Sequence, residues 1–410
     1  MMENGRRPTV SLCMIVKDEE DFLPQCLQSA GDVVDEIVLV DTGSSDATLE
    51  IARSFKAKVF QHEWKEDFSD ARNVSLKHAT SDWILFLDGD EVLEPESARM
   101  LPEILNRTEH FGFLSCIYNV KENGFVSGRH YTTRLFRNLE GVRFVGRIHE
   151  QILSMGTVAY QGMSIYHFGY DLDQETMKRK KKRNARMLKQ ELAVRGEDPV
   201  LRYHLAGVHL MLGEYEKAIE HATVGMELTE EFKDKNYFYL ATLQVLTNIY
   251  CKMGEWDEAK ACCLKALEIR DDFIDALHTL ARIYMIKNDL RKALLSYHRF
   301  LEKKRLIDCE PERGLFYRSL NSWGREAEVH NDLGGIFYEN GNFDRAIEEA
   351  RKAIALLPHE ARSYCNLGSA LAAKGNLKGS ELSFKKALEI EPSYLQAEEG
   401  LKELKRALGT

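Results

Sequence analysis

Five short turns fix the architecture of the C-terminal half of this chain. Gly213-Glu214-Tyr215, Gly254-Glu255-Trp256, Asn288-Asp289-Leu290, Gly341-Asn342-Phe343 and Gly375-Asn376-Leu377 each separate two stretches of helical periodicity. Each is followed, at a fixed offset, by a small residue: Ala218, Ala259, Ala293, Ala346 and Ser380. The small residue lets the next helix pack close to the one before it. The turns recur at intervals of 41, 34, 53 and 34 residues, with insertions at about 229–236 and 303–324. One such hairpin cannot bury its own apolar face, so neighbours must stack, which predicts an all-α solenoid over 198–410. Pro358 and Pro392 stand where second helices should stop, and Gly409-Thr410 reads as a plain tail. Tyr203, Tyr215, Trp256, Tyr284 and Phe343 fall at core positions of these helices.

The first 170 residues follow another rule. Trp83 to Leu87 is an unbroken apolar run that stops abruptly at Asp88-Gly89-Asp90-Glu91. A short run of this kind reads as a buried central strand of a parallel sheet. Thr9–Val16, Glu36–Val40 and Lys58–Gln61 read as further strands. The acidic, amphipathic run to Ala30, the segment Ala47–Phe55 with Asp46 or Ser45 as N-cap, and a segment led by Asp67–Asn73 read as the helices between them. This alternation predicts a doubly wound, mostly parallel α/β sheet. Leu114–Asn119 and Arg134–Arg137 read as later strands with a turn at Gly124 and Gly128 between them. Sheets of this kind bind ligands outside the carboxyl ends of their strands. Two carboxylates around Gly89 at such an end can share a hard divalent cation, or merely form an acidic turn.

A formal net charge of -9 argues against a general nucleic-acid binder. Met1 to Thr9 is polar, so no secretory signal is expected, and no apolar run is long enough to cross a bilayer. Eight scattered cysteines without a Cys-x-x-Cys pair read as reduced thiols of a cytoplasmic protein.

Four ordered blocks, Ile15-Val16-Lys17-Asp18-Glu19-Glu20, Val40 to Thr48, Asp70-Ala71-Arg72-Asn73 and Leu87 to Glu91, resemble glycosyltransferase family 2, and the C-terminal period resembles tetratricopeptide arrays. The first resemblance implies a GT-A fold over residues 1–173 and an inverting hexosyltransferase using a nucleotide-diphosphate sugar, a UDP-sugar, with Mn2+ or Mg2+. It assigns Asp90 to the metal, Asp88 to the metal and the sugar or ribose side, Asp41 to the uracil or ribose, Arg72 to the base or sugar-phosphate, and Asp18 and Glu19 to the donor pocket. Asp41 has a plain alternative as a turn former. Arg143 to Glu150 and Ile165 to Tyr170 resemble blocks of a branch with lipopolysaccharide-core glucosyltransferases and sublancin-type S-glycosyltransferases. His167 is then a further metal ligand or a hydrogen-bonded wall residue. An inverting transfer needs a base for the acceptor proton, and the doublet His149-Glu150 offers two, with Glu150 the choice and a solvated loop carboxylate the alternative. No match to the family's usual Glu-Asp base doublet is present.

Residues 174–197 read as a basic helical bridge, with Lys178 to Arg183 a solvated face or domain hinge rather than a site, a place near the diphosphate being the alternative. Three functions follow: transfer to Ser, Thr or Cys of a peptide or protein held by the repeats, transfer to a cell-envelope glycolipid, or an inactive scaffold. Intact Asp41, Arg72, Asp88 and Asp90 argue against the last. A curved helical array suits an extended peptide and also permits a homodimer.

Overall fold

The computed structural model describes residues 6–106, 109–121, 124–153, 156–169, 174–234, 236–310, 316–317 and 319–408; Tyr170, Gly409 and Thr410 lie outside these. The chain forms two compact units, Met1–Met253 with Pro311–Ser319, and Gly254–Glu310 with Leu320–Thr410.

In the first unit, β1 (Val10–Val16), α1 (Leu23–Ala30), β2 (Glu36–Asp41), α2 (Thr48–Ser54), β3 (Lys58–Gln61), α3 (Phe68–His78) and β4 (Trp83–Phe86) alternate as the sequence predicts. β3, β2, β1 and β4 lie side by side and parallel. Burial explains their apolar runs: Leu12, Met14, Leu39 and Leu85 face one core with α1, while Cys13, Val38, Ile84 and Phe86 face another. Two expected helix starts differ. Lys17–Phe22 is not helical because Asp18 has φ 52°, which breaks a right-handed helix before it begins. α2 starts at Thr48, and Asp46 accepts from the Thr48 amide at 3.0 Å, so its capping acts two residues ahead.

Beyond β4 the sheet becomes mixed. β5 (Glu91–Leu93) and α4 (Pro95–Asn106) follow, then β6 (Gly112–Val120), β7 (Val126–Arg137), the hairpin β8 (Arg143–Val145) with β9 (Gln151–Leu153), and β10 (Val158–His167). The order continues β4-β7-β6-β10-β5, with β7 antiparallel to β4 and β6, β10 parallel to β6, and β5 antiparallel to β10. The chain therefore swings from the end of β4 to the edge strand within four residues, and Asp88-Gly89-Asp90 is that crossing. β5 was not legible in the sequence: three residues carry no period, and only pairing with Ile165–His167 makes them a strand.

α5 (Gln174–Arg195) covers most of the basic stretch 174–197 and lies within the first unit. Its Ala185, Met187 and Leu188 share one apolar cluster with Ile148 of the sheet domain and with Leu201, Leu205 and Val208 of α6 (Pro199–Leu212). α7 (Tyr215–Glu227) and α8 (Tyr237–Met253) complete this unit. The second unit holds α9 (Trp256–Ile269), α10 (Ile274–Ile286), α11 (Leu290–Cys309), α12 (Glu326–Glu339), α13 (Phe343–Leu356), α14 (Ala361–Ala373), α15 (Leu377–Ile390) and α16 (Leu395–Leu408).

The repeat pattern is realised residue by residue. Gly213, Gly254, Asn288, Gly341 and Gly375 have φ of 76°, 80°, 56°, 71° and 78°. Ala218, Ala259, Ala293, Ala346 and Ser380 are all buried. In the last hairpin a Cβ on Gly368 or on Gly400 would come within 2.8 or 2.5 Å of the Phe384 ring, so glycine on α14 and on α16 makes room for that ring. All eight cysteines are free thiols, and no helix among the described residues is long and apolar enough to cross a membrane.

Candidate active site

The site is built where β4 ends. α3 carries Arg72 to it, and α3 is itself clamped to the β8 segment. The Asn73 side chain donates to the Phe144 carbonyl at 3.0 Å and accepts from its amide at 2.8 Å, as a strand neighbour would. Ser69 donates to the Gly146 carbonyl at 2.6 Å, and the Phe68 amide donates to the Arg147 carbonyl at 2.8 Å. Two sequence blocks that lie 70 residues apart, Asp70–Asn73 and Arg143–Glu150, are thus one structural piece.

Arg72 is buried with its guanidinium over Phe86 (4.2 Å to the ring centre) and near Phe144. One nitrogen donates to Asp88 at 3.0 Å; Nε lies 2.6 Å from Glu150 Oε1, an ion pair whose N–H is not aimed at that oxygen. Arg134, from β7, donates to Asp88 at 2.7 Å and to Glu91 at 2.6 Å. Glu150, Arg72, Asp88, Arg134 and Glu91 form a chain of alternating charge. Burial alone would raise the Asp88 pKa, but Arg72 and Arg134 hold its carboxyl well below the usual range. Glu91, wholly buried, is pushed up by burial against the pull of Arg134.

Asp90 faces elsewhere. Its Oδ2 lies 3.3 Å from Nε2 of His167, the last residue of β10, and its carbonyl accepts from the Phe168 amide at 3.0 Å. Burial lowers the His167 pKa, yet hydrogen bonding to Asp90 and the nearby carboxylates raise it overall. A Cβ on Gly169 would stand 1.7 Å from Asp90 Oδ2, so only glycine there leaves the carboxylate its cradle. Glu19 packs over Gly89, where a Cβ would come within 2.9 Å of its Cγ; burial, then Asp90, push its pKa up to about 8.

The sequence-predicted residues divide into two groups. Asp88, Asp90, Arg72, Glu150, His167 and Glu19 are brought to one edge. Asp88 is engaged by both arginines, whereas Asp90 and His167 pair with each other. Among the described residues no three His, Cys, Asp or Glu side chains converge as a complete metal cage. A carboxylate and an imidazole at this spacing fit two ligands of a hard divalent cation whose other ligands come from substrate and water.

Asp41 and Asp18 shape loops. Asp41 is buried and accepts from the Gly43 and Ser44 amides at 3.2 and 3.0 Å, the turn-forming alternative. Asp18 accepts from the Ser45 amide at 2.7 Å and ties the β1 loop to the β2 loop. His149 parts from Glu150. It has φ 53° and stacks on His204 of α6 at 3.5 Å between ring centres, with an edge open to solvent. Burial of its ring face, then Lys181, lower its pKa. Its left-handed backbone turns the doublet so that only Glu150 reaches Arg72.

Sequence reasoning missed Arg134 and Gly169. A basic residue inside the apolar strand Arg134-Leu135-Phe136 was the available signal for the first. For the second there was none beyond a glycine two residues after a histidine.

The sheet order and the acid-and-arginine edge define a GT-A-type transferase domain, here followed by a helical repeat array. Residues 11–170 match the model of glycosyl transferase family 2, and residues 242–273 and 323–394 match tetratricopeptide repeat models. A TPR repeat-containing protein of Synechococcus elongatus is 33% identical over 282 residues, 66% of this chain and 68% of that protein. The SPbeta prophage-derived glycosyltransferase SunS of Bacillus subtilis is 27% identical over 252 residues, 60% of each chain. The lipopolysaccharide core biosynthesis glycosyltransferase LpsC of Rhizobium meliloti is 24% identical over 189 residues, 44% of this chain and 68% of that one. Among solved structures, YrrB, a TPR protein with an unusual peptide-binding site, aligns with 53% of this chain and 99% of its own at 20% identity and a TM-score of 0.41, which carries no functional weight. The chain carries a glycosyl transferase family 2 domain and tetratricopeptide repeats, and is a glycosyltransferase.

Proposed function

We infer that the chain transfers a sugar, with inversion, from a UDP-sugar to a Ser, Thr or Cys side chain of a peptide or protein held by its repeats. The observation that carries the reading is the Asp90–His167 pair beside the Arg72–Asp88–Arg134 array at the carboxyl edge of the sheet. Asp90 and His167 would hold Mn2+ or Mg2+, which supplies charge relief to the departing diphosphate when bound. Asp41, Asp18 and Glu19 border the nucleoside side, since all three lie at the ends of β1 and β2. Arg72 positions Glu150, whose carboxylate takes the acceptor proton on the far side of the anomeric carbon. Asp88 keeps both arginines in place, and its low pKa maintains its charge through the neutral range.

The likeness to LpsC favours a second acceptor class, a cell-envelope glycolipid. Both are tested by incubating the full chain with a panel of nucleotide sugars and either a co-purified polypeptide or lipid extracts. The polypeptide reading requires a mass increase of one sugar on the polypeptide. Label appearing in the lipid fraction alone would replace it with the second reading.

A further inference from the structure

Glu150 sits at the end of a small hairpin loop. β8 and β9 are three residues each and form a two-stranded sheet of their own, joined through Gly146–Glu150. A two-stranded ribbon is marginally stable by itself, so the direction of its tip is set by what packs against it. The contacts come residue by residue. The Gly146 carbonyl accepts from the Ser69 hydroxyl and the Arg147 carbonyl from the Phe68 amide, both on α3. Ile148 is buried in the apolar cluster that α5 and α6 share. His149 lies flat on His204 of α6, with ring centres 3.5 Å apart and planes 6° from parallel. Glu150 ends on Arg72.

His149 is the strained member of this loop. Its φ of 53° is costly for a residue with a Cβ, and such backbone persists only where its surroundings over-determine it. The stack supplies that constraint. His204 is itself boxed by Tyr203 at 4.9 Å and by Phe238 of α8 at 6.4 Å, and those two rings lie 5.5 Å apart. Burial, then Lys181, push His149 down to about 4; burial, then His149, push His204 well below its ordinary value. Neither ring is charged at neutral pH, so the two faces meet without repulsion. Were His149 to relax out of the left-handed region, the peptide joining it to Glu150 would rotate and carry the carboxylate off Arg72.

α6 lies outside residues 11–170, which match the transferase family. We propose that His204 is a positioning residue for the transfer: it holds His149, and through it keeps Glu150 on Arg72. This rests on the reading of Glu150 as base and adds that the base is held in place from outside the family-matched residues.

The test uses the full chain, with UDP release to water from UDP-glucose, UDP-galactose and UDP-N-acetylglucosamine as one readout. Amide hydrogen exchange without donor is the other. His204→Ala should lower kcat for UDP release about 10- to 100-fold, with KM and UDP affinity within about twofold of wild type. His204→Phe keeps a flat ring and should regain most of that loss. His149→Gly suits the left-handed backbone but carries no ring, and it reads the same contact from the exposed side should His204→Ala fold poorly. It should match His204→Ala, and the double variant should lose no more than either single one. Exchange over residues 143–153 should quicken in both single variants while β1 and β4 keep the wild-type rate. Wild-type kcat in His204→Ala, losses that add in the double variant, or no recovery in His204→Phe overturns the proposal. So does a loss confined to UDP affinity and melting temperature, which would make His204 merely structural. Undiminished UDP release in Glu150→Gln would instead remove the base reading, because exchange reports the His149–His204 contact without turnover. Should wild type cleave none of the three sugar nucleotides, the UDP-sugar reading is what fails, and unaltered exchange over 143–153 in His204→Ala still overturns the positioning role.

Discussion

Gly169→Ala isolates the Asp90 cradle. The backbone at 169 is not left-handed, so alanine carries no conformational penalty there. The added methyl would stand 1.7 Å from Asp90 Oδ2, 2.7 Å from its Cγ and 3.2 Å from His167 Nε2. Ordinary carbon–oxygen contact needs roughly twice the first distance, so the carboxylate must swing by about 1.5 Å. The Asp90 side chain is partly exposed (17%), so the fold accommodates the swing, but Oδ2 leaves its place beside His167. A misplacement of about 1 Å in a reacting constellation costs on the order of 100-fold. That is about 2.7 kcal/mol of transition-state stabilisation. The variant should therefore lose at least about 100-fold in kcat/KM for release of nucleoside diphosphate, with a melting temperature within a few degrees of wild type. The assay is coupled nucleoside diphosphate release, run beside calorimetric melting. Wild-type turnover in Gly169→Ala would refute the placement of Asp90, and a collapse of stability would refute the claim that the cradle is functional rather than structural.

Arg134→Met leaves Glu91 buried without its cation and Asp88 with Arg72 alone; urea unfolding at neutral pH should show a loss of about 3 kcal/mol, partly recovered on acidification as Glu91 protonates. Glu150→Gln should abolish transfer while leaving UDP-sugar affinity near normal; a comparable loss of donor affinity would move Glu150 from base to donor contact. In metal-free protein the Glu19 pKa is raised from 4.5 to about 8, by burial and then by Asp90. The stability this gives is complete below the unfolded value and lost as pH rises through the folded one. Melting temperature should fall between pH 5 and 9 by the equivalent of a few kcal/mol at most, on the order of one per unit of pKa, and Glu19→Gln should flatten that slope.

The repeats were legible because every hairpin states its own rule, a left-handed turn residue followed by a small buried one, and Asn288 obeys it without being glycine. The parallel half of the sheet was legible for a similar reason: β1, β2 and β4 are buried on both faces and so read as continuous apolar runs. The mixed half was not. β5, β8 and β9 are three residues each and take their extended form from partners distant in sequence. At the site, residue types at strand ends pointed to the carboxylates, but nothing local says which of two aspartates the arginines take. Asp88 is captured by Arg72 and Arg134, long-range contacts from α3 and β7.

Nucleoside diphosphate release from the matching UDP-sugar by the full chain tests the Asp90–His167 site most directly. It should be run with Mn2+ or Mg2+, with excess chelator, and with Asp90→Ala. Release should depend on the metal and disappear with the chelator and in the variant, while the melting temperature of the variant stays close to that of wild type. Undiminished release under chelation or in Asp90→Ala would contradict a transfer organised around Asp90 and His167.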